Sequence, residues 1–213
     1  TNPSRPLSTP NNNGLIGYWN FDEADSGTGV VDRTERGNRG TMYTTCASTA
    51  GDIHTSAGRS GNAATFDGTN DCVAMGTGNG LNFANGGANY TLTAWFRTTK
   101  NYSGTAGSIV SKGANSSSIF IAWTAMRVNS SNVLDYLAYS DTTGCTNITG
   151  TRTVNDGQWH FGAIQRDGST SRIFLDGVQE ASGSFSCAGS HDASAYQFVI
   201  GTNDHQNGFG SGA

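Results

Sequence analysis

The sequence predicts an all-β protein built as an antiparallel β-sandwich. Three observations predict it. Apolar and polar residues alternate in short runs with a period of two, the pattern of strands buried on one face. Asp-Gly pairs at 67–68, 156–157, 167–168 and 176–177 fall between or beside those runs, as hairpin turns should. The 213 residues include 30 glycines and are 35% hydrophobic and only 13% charged, which suits many tight turns and a weakly charged surface. No long window carries a helical period, and no long-range repeat is found.

Residues 1–13 hold all three prolines and three consecutive asparagines, so they read as an extended linker, with one domain expected over 14–213. A first strand is expected at Leu15 to Phe21, with Leu15, Trp19 and Phe21 on one face and Ile16, Tyr18 and Asn20 on the other. Strands follow at 62–66 and 71–75. The run from Tyr90 to Thr98 repeats the alternation, placing Tyr90, Leu92, Ala94 and Phe96 on one face and Thr91, Thr93, Trp95 and Arg97 on the other. Further strands are expected at 107–111, 118–124, 133–140, 148–154, 159–166, 171–175, 178–182 and 196–201. Two sheets then pack face to face around the aromatic and aliphatic positions. Trp19, Trp95, Trp123 and Trp159 are read as core anchors, with exposed sugar platforms as the other option, because each sits in or beside an alternating run and buries a large area.

The formal net charge is −4 and the basic residues are scattered, so there is no electrostatic footprint for nucleic acid or anionic lipid. No apolar run approaches the roughly 20 residues of a membrane helix, so no membrane insertion by this segment is expected. The N-terminus has no signal-peptide pattern, and a secreted form would have lost such a segment. Cys46, Cys72, Cys145 and Cys187 form no CxxC pair and have no histidine at zinc-ligand spacing. An even count in a polar, turn-rich chain favours two disulfides and an oxidising, extracellular compartment. Of three connectivities, Cys46 with Cys72 and Cys145 with Cys187 is preferred, since each pair brackets neighbouring strand-and-loop segments.

Several stretches, in order, resemble the laminin-G-like domains related to pentraxins and concanavalin-type lectins. They are Gly14 to Glu23 (GLIGYWNFDE), Val31-Asp32, Gly37 to Thr41, Gly58 to Val73 (GRSGNAATFDGTNDCV), Tyr90 to Phe96 (YTLTAWF) and Ile109 to Gly113 (IVSKG). The most specific is Asp156 to His160 (DGQWH), continued by Arg166 to Thr170, Phe174 to Gly177 and Val199 to Gly201. The resemblance implies a concanavalin A-like jelly roll and secures architecture better than activity. The chain departs from the family at its end. The family's closing strand, Gly-x-Ile-Asp-x-Val-x-Ile-Tyr, lies beside the first strand, whereas this sequence stops at Gly210-Ser-Gly-Ala213. Three explanations stand: a sequence cut from a longer polypeptide, which is preferred, a strand supplied by another chain, or a first strand at an edge.

The resemblance also implies calcium, held by oxygen ligands in rim loops. Asn203, Asp204 and Gln206 follow the Val199 to Gly201 strand where pentraxin-like members carry ligands, and Asn115 occupies their other ligand loop. A second oxygen-rich patch, Asp67 to Asp71, reads either as a metal site at Asp67 and Asp71 or as an Asx-rich turn without an ion. Asn-x-Ser/Thr sequons begin at Asn89, Asn101, Asn115, Asn129 and Asn147.

Catalytic signals are sparse. Glu23, Glu35 and Glu180 are far apart and near turns, with no alternate-residue carboxylate pair of the glycosidase type. Arg33-Thr34-Glu35-Arg36 reads as a solvated loop, and no Gly-x-Ser-x-Gly elbow occurs. His54, His160, His191 and His205 read as loop or strand polar residues. The expected function is therefore an extracellular adhesion or recognition module, not an enzyme, that binds a glycan or protein through rim loops, with calcium as the implied cofactor. Display on a pilus-like or other surface filament is the expected setting. The alternatives are a filament subunit that joins neighbouring subunits by strand exchange and, less favoured, a polysaccharide-degrading enzyme.

Overall fold

The computed structural model describes residues 14–201 apart from 23–28, 35, 47–48, 56, 79, 84–87, 117–118, 141–142 and 188–195. The expected linker at 1–13 and the Asn203 to Asn207 loop lie outside these residues. In chain order the strands are β1 (Gly29–Val30), β2 (Gly40–Thr45), β3 (Thr49–Ala50), β4 (His54–Thr55) and β5 (Ala63–Ala64). Next come β6 (Cys72–Ala74), β7 (Tyr90–Phe96), β8 (Gly107–Ser116), β9 (Ile119–Val128) and β10 (Val133–Tyr139). The last five are β11 (Gly144–Thr153), β12 (His160–Asp167), β13 (Thr170–Leu175), β14 (Val178–Ser184) and β15 (Phe198–Ile200). Among the described residues there is no helix.

A nine-stranded sheet runs β1-β2-β6-β15-β8-β9-β10-β11, with β3 added to β2, and a four-stranded sheet runs β14-β13-β12-β7. β4 and β5 form a separate ribbon. Every pairing is antiparallel, as expected of hairpin-connected strands. The two large sheets share one core. Met42, Val73, Met126, Val128, Leu134 and Tyr136 from the larger sheet meet Tyr90, Ile164, Ile173 and Leu175 from the smaller. Inside it, Tyr90 and Tyr136 share a hydroxyl–hydroxyl hydrogen bond of 2.7 Å, and the Tyr90 hydroxyl also lies 3.2 Å from Thr124 Oγ1. Burial pushes both phenols far up, so this polar link between sheets stays neutral.

The first expected strand is corrected. Leu15 to Phe21 joins no ladder, and its backbone is bound by a loop instead. Arg36 Nε donates to Leu15 O, Asn38 Nδ2 to Ile16 O, Arg33 N to Tyr18 O, and Tyr18 N to Asp32 Oδ1. The buried Asp32 carboxylate also accepts from the Thr34 and Asn38 amides and the Thr34 hydroxyl. Burial pushes its pKa up, yet these donors together hold it below the ordinary value. The strict alternation fails as well, because Ile16 joins Trp19 and Phe21 against the core.

The candidate ligand-binding face

The four-stranded sheet has one face on the core and one outside, and β7 shows the division residue by residue. Tyr90, Leu92, Ala94 and Phe96 are buried or half-buried, while Thr91, Thr93 and Trp95 alternate with them as exposed positions. Trp95 is 49% exposed. The expectation that it is a core anchor is thereby overturned. An indole is large and usually mostly covered, and this half-open ring makes the outer sheet face the candidate surface.

Its neighbours are set by strand register. Phe161 of β12 lies opposite Trp95, ring centroids 5.3 Å apart and tilted by 47°. The Arg59 guanidinium stands 5.0 Å from the Trp95 ring centre. Two residues along the same face, exposed Arg97 stands 5.2 Å from the ring centre of half-buried Trp159. The turn that carries Arg59 is closed by Gly58 N donating to Gly61 O at 3.1 Å. Asp22 fixes it, since Asp22 Oδ1 accepts from Asn62 N at 2.8 Å while Oδ2 accepts from Asn20 Nδ2 at 2.8 Å. Arg33 Nε in turn donates to Asn20 Oδ1. The result is a partly exposed aromatic pair, its rings tilted against each other, with guanidinium groups over Trp95 and Trp159.

The other tryptophans do different work. Trp19 packs against Phe198, with centroids 5.6 Å apart, and donates from Nε1 to Asn38 O. Trp123 is only 2% exposed, beside Tyr139 on the nine-stranded sheet, in a cluster with Ala125 and Leu137 separate from the main core.

Among the described residues no group of three or more His, Cys, Asp or Glu side chains gathers into a metal site, and Asp67 and Asp71 meet within one turn. Asp67 Oδ1 accepts from Thr69 N and Asn70 N, and Asp71 Oδ2 accepts from Asp67 N, which is the geometry of an Asx-type turn. The Lys100 ammonium donates to Gly68 O of the same turn at 3.0 Å. Burial foremost, with the neighbouring Asp67 charge, pushes the Asp71 pKa up, while its hydrogen bond from Asp67 N opposes the shift. Asn115 lies in β8, but its side chain is outside the described residues, as are Asn203, Asp204 and Gln206.

Cys46 is bonded to Cys72 and Cys145 to Cys187. Glu180, the one glutamate among the described residues, is engaged in the fold. It accepts from Thr151 and Arg152 across β11 and β14, and those donors, the Thr151 hydroxyl foremost, hold its pKa down at about 2. His160 is held between two carboxylates, Nδ1 to Asp176 at 3.0 Å and Nε2 to Asp156 at 3.1 Å. Glu23, Glu35, His191 and His205 lie outside the described residues.

This is the architecture of a laminin-G-like sandwich with an aromatic outer face. The chain belongs to the concanavalin A-like lectin/glucanases superfamily, which it matches over residues 67–213, more than half its length. No curated protein matches the sequence. Among solved structures, the binding domain of Paraclostridial Mosquitocidal Protein 1 is similar at a TM-score of 0.66 and 11% identity, over 90% of this chain and 45% of that one. Domain 4 of AbnA, a GH43 extracellular arabinanase from Geobacillus stearothermophilus solved with arabinotriose, gives 0.62 and 18%, over 91% and 86%. A chain of botulinum neurotoxin type C gives 0.57 and 10%, over 84% and 41%. The chain thus spans less than half the length of the first and third. At these identities the likeness establishes fold.

Proposed function

We propose that the domain is an extracellular, non-catalytic recognition module that binds a glycan on the outer face of the four-stranded sheet, with Trp95 as its platform. The half-exposed Trp95 carries this reading, because its ring lies on the outer face of the sheet and not in the core. Two disulfides suit an oxidising setting such as a cell surface or surface filament. The engagement of Glu180 with Thr151 and Arg152 supports a binding role over hydrolysis. Similar folds serve this kind of task elsewhere: the arabinanase domain was solved with arabinotriose, and entry of the neurotoxin depends on interaction with two ganglioside molecules.

Trp95→Ala tests the assignment on a glycan array followed by calorimetry. Truncating an aromatic hot spot costs about 2 kcal/mol, or roughly 30-fold in affinity. The melting temperature should barely move, since the ring lies outside the core. Equal binding by both proteins would reject the Trp95 site. Loss of wild-type binding in a chelator would instead favour the expected calcium ligands Asn115, Asn203, Asp204 and Gln206.

A further inference from the structure

We infer that the glycan recognised at Trp95 is anionic, bearing carboxylate or sulfate groups that Arg59 and Arg97 read; this rests on the glycan-binding assignment above. The two arginines stand apart from others in the fold. Arg127, Arg152 and Arg172 form ion pairs with Asp135, Glu180 and Asp167, and Arg36 and Arg166 donate to backbone carbonyls. Like Arg39, which has no ring contact, Arg59 and Arg97 have neither, among the described residues. Both are exposed, and both lie over a tryptophan ring.

A guanidinium stacked on an indole loses part of its freedom and keeps its in-plane N–H donors for an anion, which suits two-pronged recognition of carboxylate or sulfate. Trp95 near the end of β7 and Arg97 just beyond it lie about 7 Å apart along extended backbone, the scale of one sugar unit. A glycan lying along this face would therefore meet one guanidinium over Trp95 and have a second, over Trp159, within reach of a neighbouring unit's charge. Among the described residues neither nearby acid is ion-paired with these arginines. Asp22 has each oxygen committed, to Asn62 N and to Asn20 Nδ2, and Asp156, near Trp159, is bound to Gln158 N and His160. The chain's net charge of −4 makes the local concentration of cations on this face a feature of the site and not of the protein as a whole.

The test is titration of the intact chain against size-matched neutral, uronate-bearing and sulfated oligosaccharides, at low and high salt. Acidic ligands should bind about tenfold or more tighter than neutral ones, and added salt should erode that advantage. Arg59→Gln and Arg97→Gln should each lose about tenfold for the acidic ligands and leave neutral ones unchanged. Comparison of uronate with sulfate tells which anion is read. Neutral and acidic ligands binding equally, with affinity lost in Trp95→Ala but retained in both arginine variants, would overturn the inference while leaving the recognition module intact. No binding across the whole panel would overturn both.

Discussion

Gly61 shows how closely one residue controls the candidate face. It adopts φ +70°, and a Cβ there would lie 2.2 Å from Asp22 Oδ1, the oxygen that accepts from Asn62 N. A side chain must therefore distort the turn or expel the carboxylate that fixes it, on top of about 1 kcal/mol for the left-handed conformation. Gly61→Ala is expected to lower the melting temperature by only a few degrees while lifting Arg59 from Trp95. Calorimetry should show the loss seen in Arg59→Gln, with the Trp95 contribution preserved; unchanged affinity would mean the turn does not position Arg59. The site was partly legible at this scale. Alternation placed Trp95 among Thr91, Thr93 and Arg97 on the polar face of its strand, yet the general tendency of indoles to be buried outweighed that pattern in the sequence-based expectation. Arg59 gave no such signal, because its partner is 36 residues away and the pairing exists only once the β4–β5 turn lies over the sheet.

At the level of elements, period-two runs marked strands well where each had a long ladder. The runs at 90–98, 133–140, 159–166 and 171–175 correspond to β7, β10, β12 and β13. They marked Leu15 to Phe21 wrongly, since alternation records burial and cannot tell whether backbone donors meet a strand or a side chain such as Asp32. β1 through β4 went unread because they are two-residue pairs or, in β2, a Gly- and Thr-rich run with little apolar contrast. Two Asp-Gly turns gain a further role through His160, which bridges Asp156 and Asp176 and so ties the entry of β12 to the β13–β14 hairpin. Burial lowers the imidazole pKa, but the hydrogen bonds and charges of Asp176 and Asp156 outweigh it and raise the pKa above the ordinary 6.5. A raised folded-state pKa means that this stabilisation is complete below pH 6.5 and is lost as pH climbs through the higher folded value. Melting curves from pH 5 to 9 should show the wild type losing about 2–4 °C more than His160→Asn above neutrality. Parallel curves would show that the bridge carries no pH-linked stability.

For the whole molecule, the two disulfides act on different joints. Cys46–Cys72 links the end of β2 to β6 within the nine-stranded sheet, over a sequence separation of 26. Cys145–Cys187 links β11 of that sheet to the segment after β14 of the other, over 42 residues, and so fastens the sandwich along one side. Loop closure alone predicts similar stabilisation, roughly 3–4 kcal/mol for each, because the dependence on length is logarithmic. The folded geometry separates them. Along the side closed by Cys145–Cys187, Thr146 Oγ1 meets Ser171 Oγ at 2.7 Å and Ser186 N donates to Cys145 O, contacts that also join β11 to the four-stranded sheet and its exit. Replacing Cys145 and Cys187 by alanine should therefore cost the loop-closure share and also loosen those contacts, with an expected fall of about 10 °C or more in melting temperature. The Cys46/Cys72 double alanine should stay near the loop-closure value, since β2 and β6 remain paired through Thr41–Ala74 and Met42–Val73. Trp95 lies on the opposite edge strand of the smaller sheet, so glycan affinity measured well below either melting temperature should be unchanged in both variants. Selective loss of binding in the Cys145/Cys187 variant would place the recognition face at the β11–β14 side instead.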